Sequence, residues 1–231
     1  MRTHVVLVHS PLVGPLTWRP VAAWLAAAGH PVRVPALPPP VGDGPYWQKA
    51  VRAVRDGLGD LAPGTPVVLV AHSNAGLYVP VLRAALQLPV TASVFVDASL
   101  PARSGATPVG TARMRELLRP MAVDGVLPRW SDWWAESEVA ALFPDAETRR
   151  AVAGEQPRLP LAYFEQEVPV PAGWDDHPCA YVRFSGGYEE AAREAQARGW
   201  RVEVLSGGHL QQLVDPAGVG RLILECAERA A

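Results

Sequence analysis

The sequence predicts an α/β fold built on a mostly parallel sheet with helices on both faces. Three observations carry that expectation. Short β-branched runs alternate with amphipathic stretches along most of the 231 residues. The strand runs are apolar almost throughout, as in sheets covered on both sides. One long central segment breaks the rhythm without offering a convincing strand of its own. A hydrophobic content of 49% and a formal charge of −2 fit one globular domain with a sizeable core.

Taken in order, the first strand is the apolar run His4–Val8, followed by an amphipathic helix over Trp18–Ala28 with Thr17 as its N-cap. A second strand over Val32–Pro35 precedes a helix over Tyr46–Leu61. The third strand, Val67–Ala71, is the most continuously β-branched. It leads into a helical pattern over Ala75–Gln87, where Pro80 should kink the helix or delay its start. Ser93–Asp97 supplies the fourth strand. Ala180–Phe184 and Arg201–Leu205 supply the last two, with helices over Glu189–Gly199 and Pro216–Ala230. About six strands result, and reactive groups should gather at their carboxyl ends. Residues 102–177 are expected to form a helical cap inserted after the fourth strand, over a core made of residues 1–101 and 178–231. The cap is rich in aromatics: Trp130, Trp133, Trp134, Phe143, Tyr163, Phe164 and Trp174 all fall in it. Taken singly, each is more simply explained as glue between cap and body, because aromatics bury large areas.

Composition also excludes partners. A pI near 6.3 leaves no electrostatic footprint for nucleic acid. No apolar run approaches the roughly 20 residues needed to span a bilayer. The chain enters its first strand at once, without an apolar leader, which predicts a cytoplasmic protein. Cys179 and Cys226 lie far apart in apolar settings and read as buried free thiols, a disulfide being the alternative. No cysteine–histidine spacing implies a metal, and no motif implies a cofactor.

The most informative stretch is Val67-Val68-Leu69-Val70-Ala71-His72-Ser73-Asn74-Ala75-Gly76. A strand that turns sharply into a helix would hold Ser73 in a strained conformation with its hydroxyl above the sheet. Small residues two before and two after the serine are needed where strand and helix backbones approach, and Ala71 and Ala75 fill those places. The amides at the helix start then face the reacting oxygen. An ordinary strand-to-helix turn is the plainer reading of the same residues. His72 neighbours the serine but should point away from it, by strand alternation.

This elbow, the insertion and Gly207-Gly208-His209 together resemble the α/β-hydrolase superfamily. More narrowly, the chain is similar to the small esterases and lyases typified by plant methylesterases and hydroxynitrile lyases. Val5 through Gly14 and on to Trp18 follow that group's first matching strand, His-Gly-x turn and downstream Trp. Val94-Phe95-Val96-Asp97-Ala98-Ser99-Leu100-Pro101 matches the strand and proline before the cap. Tyr181–Phe184, and His209 through Asp215-Pro216, match the last landmarks. Within the cap only architecture is shared. The match begins at the family's third strand, which agrees with six.

The resemblance implies Ser73 as nucleophile and His209 as its base, in the chain order serine, acid, histidine. His9 would prop its turn, while His4, His30 and His177 look exposed. The family's acid should fall within Ser185-Gly186-Gly187-Tyr188, where no carboxylate stands. Asp97 is the expected replacement, because a carboxylate closing a wholly apolar strand needs a partner. Glu189 or Glu190 is the alternative, although acidic residues also favour a helix's first turn. One oxyanion donor should be the Asn74 amide. The other would normally come from position 11, but Pro11 has no N–H. The site must then use the Leu12 amide or the Ser10 hydroxyl, replace the carbonyl chemistry, or run slowly. The lyases of the group carry a lysine directly after the histidine, and Leu210 in its place argues against cyanohydrin cleavage. Trp18, Trp133, Trp134, Tyr163 and Leu210 are the expected lining of a substrate pocket. The function implied is a serine hydrolase for an ester or thioester of a small apolar or aromatic acyl compound. Acyl transfer to another acceptor, and a non-catalytic binding protein of the same fold, are the alternatives.

Overall fold

A computed structural model of the chain describes residues 2–230. It begins with β1 (His4–Val8), α1 (Arg19–Ala27), β2 (Val32–Arg33), α2 (Tyr46–Gly57), β3 (Val67–His72), α3 (Val79–Ala85) and β4 (Val90–Val96). The insertion contributes β5 (Gly105–Pro108), α4 (Ala112–Leu118), α5 (Glu136–Ala140), α6 (Ala146–Glu155) and β6 (Glu167–Val170). The chain closes with β7 (Cys179–Arg183), α7 (Glu189–Ala197), β8 (Arg201–Val204), α8 (Gln211–Val214) and α9 (Pro216–Ala230). Six strands form one sheet in the order β2-β1-β3-β4-β7-β8. Every pairing in it is parallel.

Side-chain alternation divides the core into two layers. Val5 and Leu7 of β1 pack with Trp18, Val21, Leu25, Val219 and Ile223 beneath α1 and α9. Val6 and Val8 face the opposite layer, with Val54, Leu82 and the residues of the insertion. β3 lies at the centre, with Val67, Val68, Leu69 and Val70 all buried, each contributing about 1.5–3 kcal/mol of apolar burial. Cys179 and Cys226 are free and buried.

Several local details depart from the sequence-based expectation. Thr17 does not cap α1. Its hydroxyl donates back to the Gly14 carbonyl (2.7 Å) inside a 3-10 turn over Pro15–Trp18, and α1 starts only at Arg19. β2 is an edge strand of two residues that stops before Pro35, since proline cannot extend a hydrogen-bond ladder. α2 ends at Gly57, short of Leu61, as Leu58 and Gly59 turn back onto the carbonyls of Arg55 and Asp56. After β3 the chain forms a 3-10 turn over Ser73–Tyr78. The α-helix begins at Val79 with Pro80 in its first turn, where a missing N–H costs nothing. β4 starts at Val90, earlier than Ser93, and leaves Asp97 just past its end.

The insertion does contain strands. β5 and β6 pair antiparallel, Gly105 opposite Val170 through Pro108 opposite Glu167. Both strands are four residues long and carry a proline, and their partners are distant in sequence, so no local hairpin signal marks them. They tie the two ends of the insertion together at its base. Trp174 Nε1 donates to the Ala102 carbonyl (2.9 Å), and Arg83 donates to the carbonyls of Gly173 and Trp174 (3.0 and 2.8 Å). Among the described residues no helix is long and apolar enough to cross a membrane.

Candidate active site

The turn out of β3 holds Ser73 at φ 58°, a left-handed conformation that costs a non-glycine residue about 1–3 kcal/mol. The tightest approach behind it is at Gly76. A Cβ there would lie 2.2 Å from the Ser99 carbonyl oxygen, so glycine is required, while Ala71 and Ala75 are fully buried on either side. The Ser99 amide donates to the Ser73 carbonyl (3.0 Å), fastening the elbow to the end of β4. Ser73 keeps 6% of its surface exposed.

His209, on the loop between β8 and α8, reaches this serine. Its Nε2 lies 3.0 Å from Ser73 Oγ and its Nδ1 lies 2.7 Å from Asp97 Oδ2. An ionised carboxylate only accepts, so Nδ1 carries the proton and Nε2 presents a lone pair to the serine hydroxyl. Asp97 is fully buried at φ 42°, beyond the end of β4. It also accepts from the amides of Phe184 (2.9 Å) and Ser185 (3.0 Å) and from the Ser185 hydroxyl (2.7 Å). Burial works to raise the Asp97 pKa, but the hydrogen bonds from His209 and Ser185 outweigh it and hold the carboxyl below its ordinary value. The loop in which the resembled family keeps its acid thus supplies donors to a carboxylate on the neighbouring strand. Glu189 and Glu190 stand exposed in the first turn of α7.

Three more rings surround the imidazole. His72 is fully buried, and its Nε2–H donates to the His209 carbonyl (2.9 Å) with the two ring centroids 4.6 Å apart. Burial lowers its pKa to about 3, with the adjacent His209 acting in the same direction, so it is a neutral prop beneath the loop. Trp130 lies 5.9 Å from His209, centroid to centroid. Tyr188 stacks on the imidazole at 5.0 Å and 10°, and its hydroxyl is 3.3 Å from Ser73 Oγ. Nothing in the sequence singles out Tyr188 for a role. Its only mark there is its place at the end of the loop that lacks the expected carboxylate.

On the other side of the serine, His9 props the turn after β1. Its Nδ1–H donates to the Ser10 carbonyl (2.8 Å) and its Nε2 accepts from the Leu37 amide (2.9 Å). Burial lowers its pKa to about 4. Ser10 is buried, and its Oγ accepts from the Leu12 amide (3.3 Å). That amide is therefore engaged, while the Ser10 hydroxyl proton stays available. The Asn74 side chain is held by the insertion. Its Oδ1 accepts from the Tyr163 hydroxyl, its Nδ2 donates to the Val109 carbonyl (3.4 Å), and Tyr163 in turn meets the Tyr78 hydroxyl (2.6 Å).

Residues 5–222, nearly the whole chain, match the Alpha/beta hydrolase family. The chain belongs to that family. It is 33% identical over 135 residues to Esterase PIR7B of Oryza sativa subsp. japonica, a match covering 54% of this chain and 48% of that protein. To Probable esterase PIR7A of Oryza sativa subsp. indica it is 28% identical over 158 residues, 64% and 55% of the respective chains. The matches thus span about half the length of these curated relatives. Among solved structures, an extracellular alpha/beta-hydrolase from a Paenibacillus species superposes with a TM-score of 0.75 at 16% identity, covering 97% of this chain and 98% of the other. Tomato methylketone synthase I complexed with 2-tridecanone gives 0.76 at 14% identity, with both chains fully covered. At such identities the likeness is one of fold.

Within this alpha/beta hydrolase scaffold the expected pocket aromatics take different places. Trp18 belongs to the layer under α1 and α9, its ring centroid 5.9 Å from that of His72 in an edge-on arrangement, because the 3-10 turn ahead of α1 rotates it into the core. Trp134 is 46% exposed on the insertion, since the chain turns extended there and leaves it outward. Trp133 and Tyr163 are buried and pack against Phe164, and Leu210 is buried in the same layer. His177 is not free in solvent either: it pairs with Ser93 Oγ (2.8 Å), and burial lowers its pKa to about 4. Among the described residues no cluster of histidine, cysteine and carboxylate side chains suits a metal.

Proposed function

We propose that this protein is a serine hydrolase that cleaves an ester or thioester of a small apolar or aromatic acyl compound. One observation carries the reading: the unbroken chain Ser73 Oγ, His209 Nε2, His209 Nδ1, Asp97 Oδ2, with contacts of 3.0 and 2.7 Å. Ser73 passes its proton to His209 Nε2 as Oγ bonds to the substrate carbonyl carbon. Asp97 holds the imidazole in the required tautomer and balances its charge. The Asn74 amide and the Ser10 hydroxyl stabilise the oxyanion, Ser10 replacing the amide that Pro11 lacks. Collapse expels the leaving group, which takes the proton from Nε2. Water, deprotonated by the same nitrogen, then releases the acid from Ser73. The esterase names of the relatives support ester hydrolysis in general.

A fluorophosphonate should label the wild-type protein at Ser73 and leave Ser73→Ala untouched. A panel of acyl esters and thioesters should be turned over by the first and not by the second. Folded wild-type protein that takes no label and turns over nothing would refute the reading and favour a binding protein. The small exposure of Ser73 beneath the insertion favours a second reading, in which the acyl group passes to an alcohol or amine. Accumulation of acyl-Ser73 until such an acceptor is added would select it, and prompt release in water would exclude it.

A further inference from the structure

We infer that Tyr188 is a catalytic hydrogen-bond donor to the departing oxygen of the substrate, sharing with His209 the task of stabilising the leaving group. The inference rests on the serine-hydrolase reading above. The Ser73 hydroxyl has one proton, and His209 Nε2 is its acceptor at 3.0 Å. The contact of 3.3 Å between Ser73 Oγ and the Tyr188 hydroxyl is therefore one in which the phenol donates. Burial pushes the Tyr188 pKa up to about 12, so the phenol keeps its proton at neutral pH.

Direction decides what that donor meets. The phenol ring lies nearly parallel to the imidazole, tilted by 10° with centroids 5.0 Å apart. Its hydroxyl and Nε2 both reach Ser73 Oγ, at 3.3 and 3.0 Å. In acyl transfer the leaving oxygen must come within reach of Nε2 to receive a proton. A donor beside Nε2 faces that same oxygen, while the oxyanion lies by the Asn74 amide and Ser10. Once Oγ bonds to the carbonyl carbon, Tyr188 is free to exchange its acceptor from Oγ to the leaving oxygen. As the bond from carbon to that oxygen breaks, its electron pair stays on the oxygen. The oxygen takes the proton of His209 Nε2–H while accepting a hydrogen bond from Tyr188, which keeps its own proton. The help matters most where the leaving group is a poor one.

The test is the dependence of kcat/KM on the leaving group. Tyr188→Phe retains the ring that stacks on His209 and removes only the hydroxyl. It should lower kcat/KM for alkyl esters roughly ten- to a hundredfold, and by much less for para-nitrophenyl esters or thioesters of the same acyl group. The ratio of alkyl to para-nitrophenyl rates should fall about tenfold or more. A ring that merely packs the histidine would leave this ratio unmoved. Equal losses on all leaving groups, or none, with Ser73 still labelled by fluorophosphonate, would overturn the role of Tyr188 and leave the hydrolase reading intact. Absence of label and of all turnover in the wild type would overturn both.

Discussion

A buried carboxylate survives only where enough donors meet it, and Asp97 accepts from two amides, one hydroxyl and one imidazole. An asparagine oxygen in the place of Oδ1 keeps the two amides, and the Ser185 hydroxyl can turn to accept from Nδ2–H. Asp97→Asn should therefore leave the fold in place while presenting His209 with the wrong tautomer. We expect kcat on any turned-over ester to fall about ten-thousandfold, with an unchanged melting temperature within a few degrees. A loss of less than tenfold would remove Asp97 from the mechanism. Pro11 offers the complementary experiment. If the oxyanion is short of one amide, Pro11→Gly restores an N–H, and steady-state kinetics should record a rise in kcat, while Ser10→Ala should lower it about 10²-fold. The place of Asp97 was legible because a charge closing an apolar strand demands partners. Tyr188 was not legible, because a tyrosine in a glycine loop carries no signature until its ring is seen against His209.

At the scale of elements, the approach of the elbow to the end of β4 depends on one missing atom. Gly76→Ala would press a methyl group to within 2.2 Å of the Ser99 carbonyl, a backbone atom with no rotamer to escape by. Thermal denaturation should register a loss of about 1–3 kcal/mol, and the shifted Ser73 should react more slowly with fluorophosphonate. The tie between insertion and elbow is equally local. Tyr163→Phe leaves Asn74 Oδ1 buried without its donor, at a cost of about 1–3 kcal/mol that urea unfolding should reveal. The six core strands announced themselves through β-branched runs and alternation. β5 and β6 did not, because each is four residues long, interrupted by proline, and paired with a segment far along the chain. Helix boundaries moved where side-chain chemistry chose a local partner, as Thr17 chose the Gly14 carbonyl.

For the whole molecule, buried neutral histidines set the response to acid. His9 and His72 are held at about 4 and about 3, both below the ordinary 6.5, chiefly by burial. Below pH 6.5 the unfolded chain takes up protons that these residues cannot accept when folded. Stability must therefore fall with pH from 6.5 down toward 4, by up to about 1.4 kcal/mol per pH unit for each residue. Asp97 acts later. Its folded pKa is depressed, so its contribution is present above the unfolded value and is lost as pH drops through the lower, folded one. Scanning calorimetry should show Tm level above pH 7 and declining steadily between 6 and 4. A flat Tm across that interval would contradict the burial of the two imidazoles. The antiparallel ribbon of β5 and β6 has an architectural consequence. Entry and exit of the insertion meet in that ribbon, so a different roof grafted there would have to refill the buried layer the insertion shares with the sheet, as a new lens must seat on a fixed camera body. Any replacement must bring its own hydroxyl to Asn74, or the aperture it frames will have lost one of its fasteners.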